Sequence, residues 1–276
     1  MPDPTDSYLL QSQLRHIADL VLLFGFVLAL AGELLLPAAG ARWNRARLAH
    51  GAHNLVLWLI VVVVISFVFG SVVWALLQWM QWRGIGVLAL LPLPGWLHAV
   101  LAFLLLDAAD YFFHRLSHNA RWLWLMHAVH HSDPQVDVTT NLRQHPLHAV
   151  FTQSWKIAAC AAIGVPPWVY LVHEILTLAF AYLHHAAIRW PRWLDPALSW
   201  LVITPRMHWN HHSPEPARTN SNYGVVLSWW DRAFATLTAP SAEPVQFGLH
   251  ALDAPRWQSA FGMLATPWRA RSLRQL

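Results

Sequence analysis

Along the chain, apolar residues gather into runs separated by short segments rich in Arg, Pro, Trp and His. Residues 17–39 hold a run long enough for a spanning helix of roughly 20 residues, with Asp19 near its start and Glu33 near its end. Residues 54–80 contain no charged residue and predict a second span. Residues 86–113 are apolar but interrupted by Pro-Leu-Pro-Gly at 92–95, which predicts a third helix from near Trp96 to the first histidine cluster. A further apolar block, 147–188, is divided by Gly164, Pro166 and Pro167 into two arms of a helical hairpin. Its first arm is short and carries Lys156, so the hairpin either crosses fully or dips in as a re-entrant pair. Beyond residue 189 no run is long enough to span.

The pattern predicts an all-α integral membrane protein forming a single membrane domain over 1–276. Residues 17–113 supply transmembrane helices of the bundle and 147–188 a second membrane hairpin, while 114–146 and 189–276 form a helical cap. Composition agrees: 56% of residues are hydrophobic and only 12% charged, too apolar for an ordinary soluble domain. Many of the 18 Trp lie near the ends of apolar runs, where a ring with one apolar and one wet side suits the headgroup region. The N-terminal residues lack the charged lead-in and cleavage site of a signal peptide, so the first run is expected to stay in the mature protein.

The net charge of +4 comes almost wholly from arginine, since Lys156 is the only lysine. These arginines are scattered beside apolar spans rather than clustered on a basic face, which argues for membrane topology and against nucleic acid. Arg42, Arg45 and Arg47 place the 40–53 segment in the cytoplasm by the positive-inside tendency. Counting spans then puts 81–95 outside and everything after 113 inside, with the hairpin returning the chain to the same face. The bias towards Arg, Ala and Trp points to a bacterial inner membrane. Cys160 is the only cysteine, which excludes an intrachain disulfide and a cysteine metal cluster.

Three histidine clusters land on that face: His114-Arg-Leu-Ser-His118, His127-Ala-Val-His130-His131 and His208-Trp-Asn-His211-His212. Residues three and four apart share a helical face, so each cluster aims two or three imidazoles at one point. With 18 His in the chain, one HxxHH pattern is expected by chance about 0.08 times, and there are two. Eight imidazoles exceed what one tetrahedral zinc or one catalytic mononuclear site uses, so two metals are implied. Imidazole suits iron, zinc, copper and nickel, so the residues alone leave the metal open. A metalloprotease would place Glu beside the first histidine, where Arg115 stands. Asp107 and Asp110 precede His114 on the same helical face, and Asp110 is a candidate to accept an imidazole N–H. Its alternative is a helix-end charge at the interface. The isolated His16, His50, His53, His98 and His250 read as ordinary surface or interfacial residues.

The runs DYFFHRLSH (110–118), LMHAVHHS (125–132), LRQHPLH (142–148), HHAAIR (184–189), PRMHWNHHS (205–213) and NYGVVLSWWDRAF (222–234) resemble, in order, the signatures of the fatty acid hydroxylase / sterol desaturase superfamily. The resemblance implies a membrane-embedded helical bundle whose cytoplasmic cap holds two metals, taken as non-haem iron with zinc as an alternative occupant in preparation. Carried over residue by residue, it implies the ligands His114, His118, His127, His130, His131, His208, His211 and His212, with His185 as a ninth ligand or near neighbour. His145 and His184 are weaker candidates, and Asn222, with Tyr223 and Gly224, either closes the metal site or is a packing turn. The chain departs from the family pattern at His148, where Glu is common, at Ala187, where Asn is common, and in the paired His184-His185, where a single His is usual. These departures bear on the surroundings of the site and leave the three boxes intact.

The family's chemistry is oxygen-dependent hydroxylation or desaturation of an unactivated C–H bond, with dioxygen as co-substrate and a fatty acyl or sterol-like membrane lipid as substrate. The sequence carries no nucleotide fingerprint, haem-attachment motif or cysteine cluster motif, so the resemblance also implies an external electron donor: a cytochrome, ferredoxin or reductase. Two other classes compete. A transporter or sensor predicts ionisable residues spread through the spans, whereas the boxes sit just past span ends. A non-catalytic lipid- or metal-binding relative predicts lost box histidines, and all three boxes are complete.

Overall fold

The computed structural model describes residues 12–14, 16–38, 44–70 and 72–272. Among them there is no strand, only two isolated bridges, Pro37 with Ile188 and Val202 with Leu227. The longer helices are α1 (Ser12–Leu35), α2 (Arg45–Val68), α3 (Val72–Trp82), α4 (Gly95–Asn119), α5 (Arg121–His131), α6 (Pro146–Ile163), α7 (Pro167–His185), α8 (Pro205–His211) and α9 (Ala260–Arg269). Single-turn helices join them through the C-terminal third. Of these, α1, α2 and α4 are long and apolar enough to cross a membrane.

Helix boundaries differ from the apolar runs in three places. First, the uncharged stretch 54–80 is not one helix. The Asn44 side chain accepts the Arg47 N–H at 2.9 Å and starts α2 nine residues early. The helix therefore reaches its full length by Val68, and Gly70, with φ +43°, turns the chain into α3. A Cβ at Gly70 would lie 3.0 Å from the Ser66 carbonyl. At 11 residues α3 is about 16 Å long, too short to cross a hydrocarbon core of about 30 Å.

Second, Arg47 is not a loop charge. It is 5% exposed and ion-paired to Glu33 at 2.8 Å and Asp137 at 3.0 Å. Glu33 also accepts the N–H groups of Val138 and Ala187, so the charge near the end of the first apolar run ties α1, α2 and the cap together. Arg42 lies outside the described residues, and Arg45 alone of the three remains an exposed, described cation. Third, α4 does not stop at residue 113. Nothing breaks it before Ala120, and it carries His114 and His118 on its last turns.

The 147–188 block folds as the expected pair of helices, turned at Gly164 (φ +86°). The 84–95 connection packs on that turn so closely that a Cβ on Gly86 would lie 2.1 Å from the Gly164 nitrogen. The largest apolar cluster joins α3, α4, α6 and α7 through Leu77, Met80, Leu106, Cys160 and Val169. A second cluster, including Leu125, Leu252 and Trp257, packs the C-terminal segment onto α5.

Candidate metal centre

Four helices deliver their C-terminal turns to one place. α4 brings His114 and His118, α5 brings His127, His130 and His131, α7 brings His185, and α8 brings His208 and His211 with His212 at its cap. Helix C-termini carry the negative end of the macrodipole, so the arrangement favours cations before any side chain is counted.

The nine histidines divide into two groups: His114, His118, His127, His131 and His211 in one, and His130, His185, His208 and His212 in the other. Within each, one ring nitrogen per residue lies within 4.8 Å of all the others. The division follows from helix geometry. In both HxxHH boxes the residues four apart, His127 with His131 and His208 with His212, share one group, while the third histidine turns to the other. The two boxes are therefore crossed: α5 gives two ligands to the first group and one to the second, and α8 does the reverse.

Hydrogen bonding decides what these nitrogens are. The Nδ1 atoms of His114, His211 and His185 lie 2.8, 2.7 and 2.7 Å from the carbonyl oxygens of Tyr223, Ser221 and Ala181. A carbonyl only accepts, so each Nδ1 carries the hydrogen and each Nε2 of the neutral ring is a bare lone pair. Yet His114 Nε2 and His211 Nε2 face each other at 3.0 Å. His185 Nε2, a lone pair by the same argument, sits 3.1–3.2 Å from the Nε2 atoms of His130, His208 and His212, and it could accept a hydrogen from only one of the three. Facing lone pairs at this distance repel unless a cation lies between them. Nitrogens bound to a common metal at about 2.0–2.1 Å would be about 2.9 Å apart at right angles and about 3.4 Å in a tetrahedron. The rings of His130, His131, His208 and His212 leave buried Nδ1 atoms without a hydrogen-bond partner while their Nε2 atoms point inward. The donor set fits two metal ions.

Burial and then mutual repulsion hold His127, His130, His131, His208, His211 and His212 well below the usual histidine value of 6.5. They are neutral at pH 7, the form that ligates.

The other predicted residues have defined places. Asp110 does not orient a box imidazole: Lys156 pairs with it at 3.1 Å. The orienting acceptors are instead backbone carbonyls, which residue types do not reveal. His145 caps α6, accepting the Leu147 N–H at Nδ1, and its Nε2 bonds the Leu264 carbonyl, so neither nitrogen is free for metal. His184 bonds the Ile203 carbonyl at 2.8 Å and stacks on His208 as a wall of the site. Asn222 stands at φ +53° between the two carbonyls that hold His211 and His114. Its side chain donates to the Met207 and Thr238 carbonyls and accepts the Thr238 N–H. Asp231, which sequence reasoning passed over inside the WWDRAF run, accepts the N–H groups of Tyr223 and Gly224 and so fixes the same turn. His148, the departure from Glu, bonds Ser117 and stacks on His127 with centroids 4.6 Å apart. Ala187, the other departure, uses its backbone N–H on Glu33.

A profile of the fatty acid hydroxylase family matches residues 99–236, half of the chain, and this stretch contains all nine histidines. The chain belongs to the fatty acid hydroxylase family. Curated relatives align over about half of this chain. Alkylglycerol monooxygenase from Xenopus tropicalis is 36% identical over 149 residues, covering 54% of this chain and 32% of that protein. Ornithine lipid hydroxylase OlsE from Rhizobium tropici is 30% identical over 51% of this chain and 42% of its own length. Sphingolipid C4-hydroxylase sur2 from Schizosaccharomyces pombe is 26% identical over 51% and 48%. The alignments thus span between a third and a half of these relatives. No solved structure matches the chain.

A cavity of about 440 Å³ opens beside the two groups. His114, His127, His130, His185 and His208 form one end of it, and Leu22, Trp58, Val61 and Leu178 line its apolar walls.

Proposed function

We propose that this chain is a membrane-embedded, oxygen-dependent oxidoreductase that hydroxylates an unactivated C–H position of a membrane lipid at a two-iron centre. The observation that carries the reading is the convergence of nine neutral imidazoles into two groups of ring nitrogens beside a mostly apolar cavity. His114, His118, His127, His131 and His211 would hold one ion, and His130, His185, His208 and His212 the other. When bound, such a centre supplies the two-electron activation of dioxygen that aliphatic C–H cleavage requires.

The chain's own residues do the rest. The carbonyls of Tyr223, Ser221 and Ala181 hold His114, His211 and His185 in the ligating tautomer. Apolar walls exclude water from the reacting carbon and give an alkyl chain an environment matching the bilayer. Hydroxylation consumes one dioxygen, two electrons and two protons, inserts one oxygen into C–H and releases the other as water. The electrons come from a separate donor protein. The relatives' names, which are hydroxylases and monooxygenases of lipids, favour hydroxylation over desaturation.

The test is anaerobic iron loading of the detergent-purified chain, followed by incubation with total membrane lipid, a chemical or protein reductant and labelled dioxygen. The reading predicts one labelled oxygen atom per product lipid, lost in His130→Ala and His211→Ala. Unlabelled product of lower hydrogen content would establish desaturation instead, and no lipid product from an iron-loaded protein would overturn the reading.

A further inference from the structure

The cavity does not end in apolar side chains. On α7 its lining residues Glu174, Leu178, Ala181 and His185 follow one another at helical spacing, one face of the helix running from the far end to the metal centre. On α6 the lining residues are His148, Thr152 and Lys156. The rise from His185 back to Glu174 is about 16 Å, and from His148 to Lys156 about 12 Å. At the far end Lys156 Nζ lies 2.5 Å from Glu174 Oε1 and 3.1 Å from Asp110 Oδ2. Lys156 and Asp110 are nearly closed off, with side chains 7% and 11% exposed, whereas Glu174 keeps 33% open. One helical turn on, the buried Thr177 hydroxyl lines the same cavity and has no hydrogen-bond partner among the described residues.

A salt bridge serving only to tie α4, α6 and α7 together would close over its carboxylates, as Asp110 shows. Lys156 reaches Glu174 Oε1, yet a third of the Glu174 side chain stays open, which leaves room for a second donor in a cavity whose surface is mostly apolar. Of the cavity-lining groups, two carboxylates, Glu174 and Asp110, share the one Lys156 ammonium, while Asp107 behind them accepts the Trp230 indole N–H. Resting on the lipid-oxidation reading above, we propose that Glu174, positioned by Lys156, anchors a hydrogen-bond-donating polar group of the substrate, a hydroxyl or an ammonium. The chain carbon presented to the metals is then fixed by its distance from that group. Ionisable side chains in such an apolar setting mark ligand contacts more often than packing.

The experiment uses the metal-loaded full chain in detergent and three photolabels: dodecanol, dodecylamine and the methyl ether of dodecanol, each with a diazirine at the far end of its chain. The proposal predicts that the alcohol or the amine labels residues around Ala181 and His185, and that the ether labels them about tenfold less. Glu174→Leu, which leaves the Lys156–Asp110 pair intact, should abolish the difference. Glu174→Gln, which keeps an acceptor but loses the charge, should retain the alcohol and weaken the amine, separating the two donor classes. Metal content equal to wild type confirms that each variant is folded. Equal labelling by ether and alcohol, or labelling unchanged in Glu174→Leu, overturns the anchor and leaves the lipid site standing. No cavity labelling by any probe overturns both.

Discussion

At the residue scale, tautomers decide what the site can bind. Three rings have their Nδ1 hydrogen committed to carbonyls, so their Nε2 lone pairs have no use but a cation. The turn at Asn222 sets two of those carbonyls, and its φ of +53° is tolerated by Asn better than by Ala. Asn222→Ala should therefore lower metal affinity by about 10- to 100-fold while leaving all nine ligands present, measured by competition with a chelator. His184→Ala should keep its metal, because His184 bonds a carbonyl rather than joining either group. Acid has a predictable sign. The box histidines are depressed below 6.5 when folded, so the unfolded, metal-free chain binds more protons as pH falls through 6.5. Metal retention should be flat above pH 7 and fall below about 6.5 with an apparent uptake of more than one proton, read by metal release against pH. The histidine boxes were legible in the sequence as HxxHH spacing, but that spacing brings only the residues four apart into one group, and the third histidine of each box, expected to aim at the same point, turns to the other. The orienting groups were not legible, since backbone carbonyls have no residue signature, and Asp110 looked like an orienter only because its partner Lys156 lies 46 residues away.

At the element scale, apolar runs located the helices but not all their ends. Capping by Asn44 and the turn at Gly70 divided the uncharged 54–80 run, and neither signal is visible in hydropathy. The hairpin was readable because Gly164, Pro166 and Pro167 punctuate it, and the structure turns there. Arg47 shows the limit of counting charges, since burial between Glu33 and Asp137 makes it a tie between helices. Removing one partner of such a network leaves uncompensated buried charge. Arg47→Met should cost about 3–5 kcal/mol of stability, and Glu33→Gln in the same chain should recover part of it. Thermal unfolding of both variants in one detergent checks this, and a double variant no better than the single would contradict it.

At the scale of the whole molecule, α4 carries both a candidate span and the first metal box, so the site is built on the membrane helices themselves. This reading places the metal centre at one bilayer face and the Gly86–Gly164 contact towards the other. Cys160 is buried at 1% exposure, which makes the wild-type chain a quiet background for labelling. Arg83→Cys and Arg218→Cys should react with an impermeant thiol reagent from opposite sides of sealed vesicles. Reaction of both from one side would contradict the placement.

The central claim is that nine histidines hold two metal ions in crossed groups, and elemental analysis of anaerobically purified, iron-supplemented protein tests it most directly. The account predicts about two metal ions per chain in the wild type and about one in a His208→Ala, His212→Ala variant, which strips only the group of His130 and His185. One ion or none in a folded wild-type chain, or two ions surviving the double substitution, would contradict it.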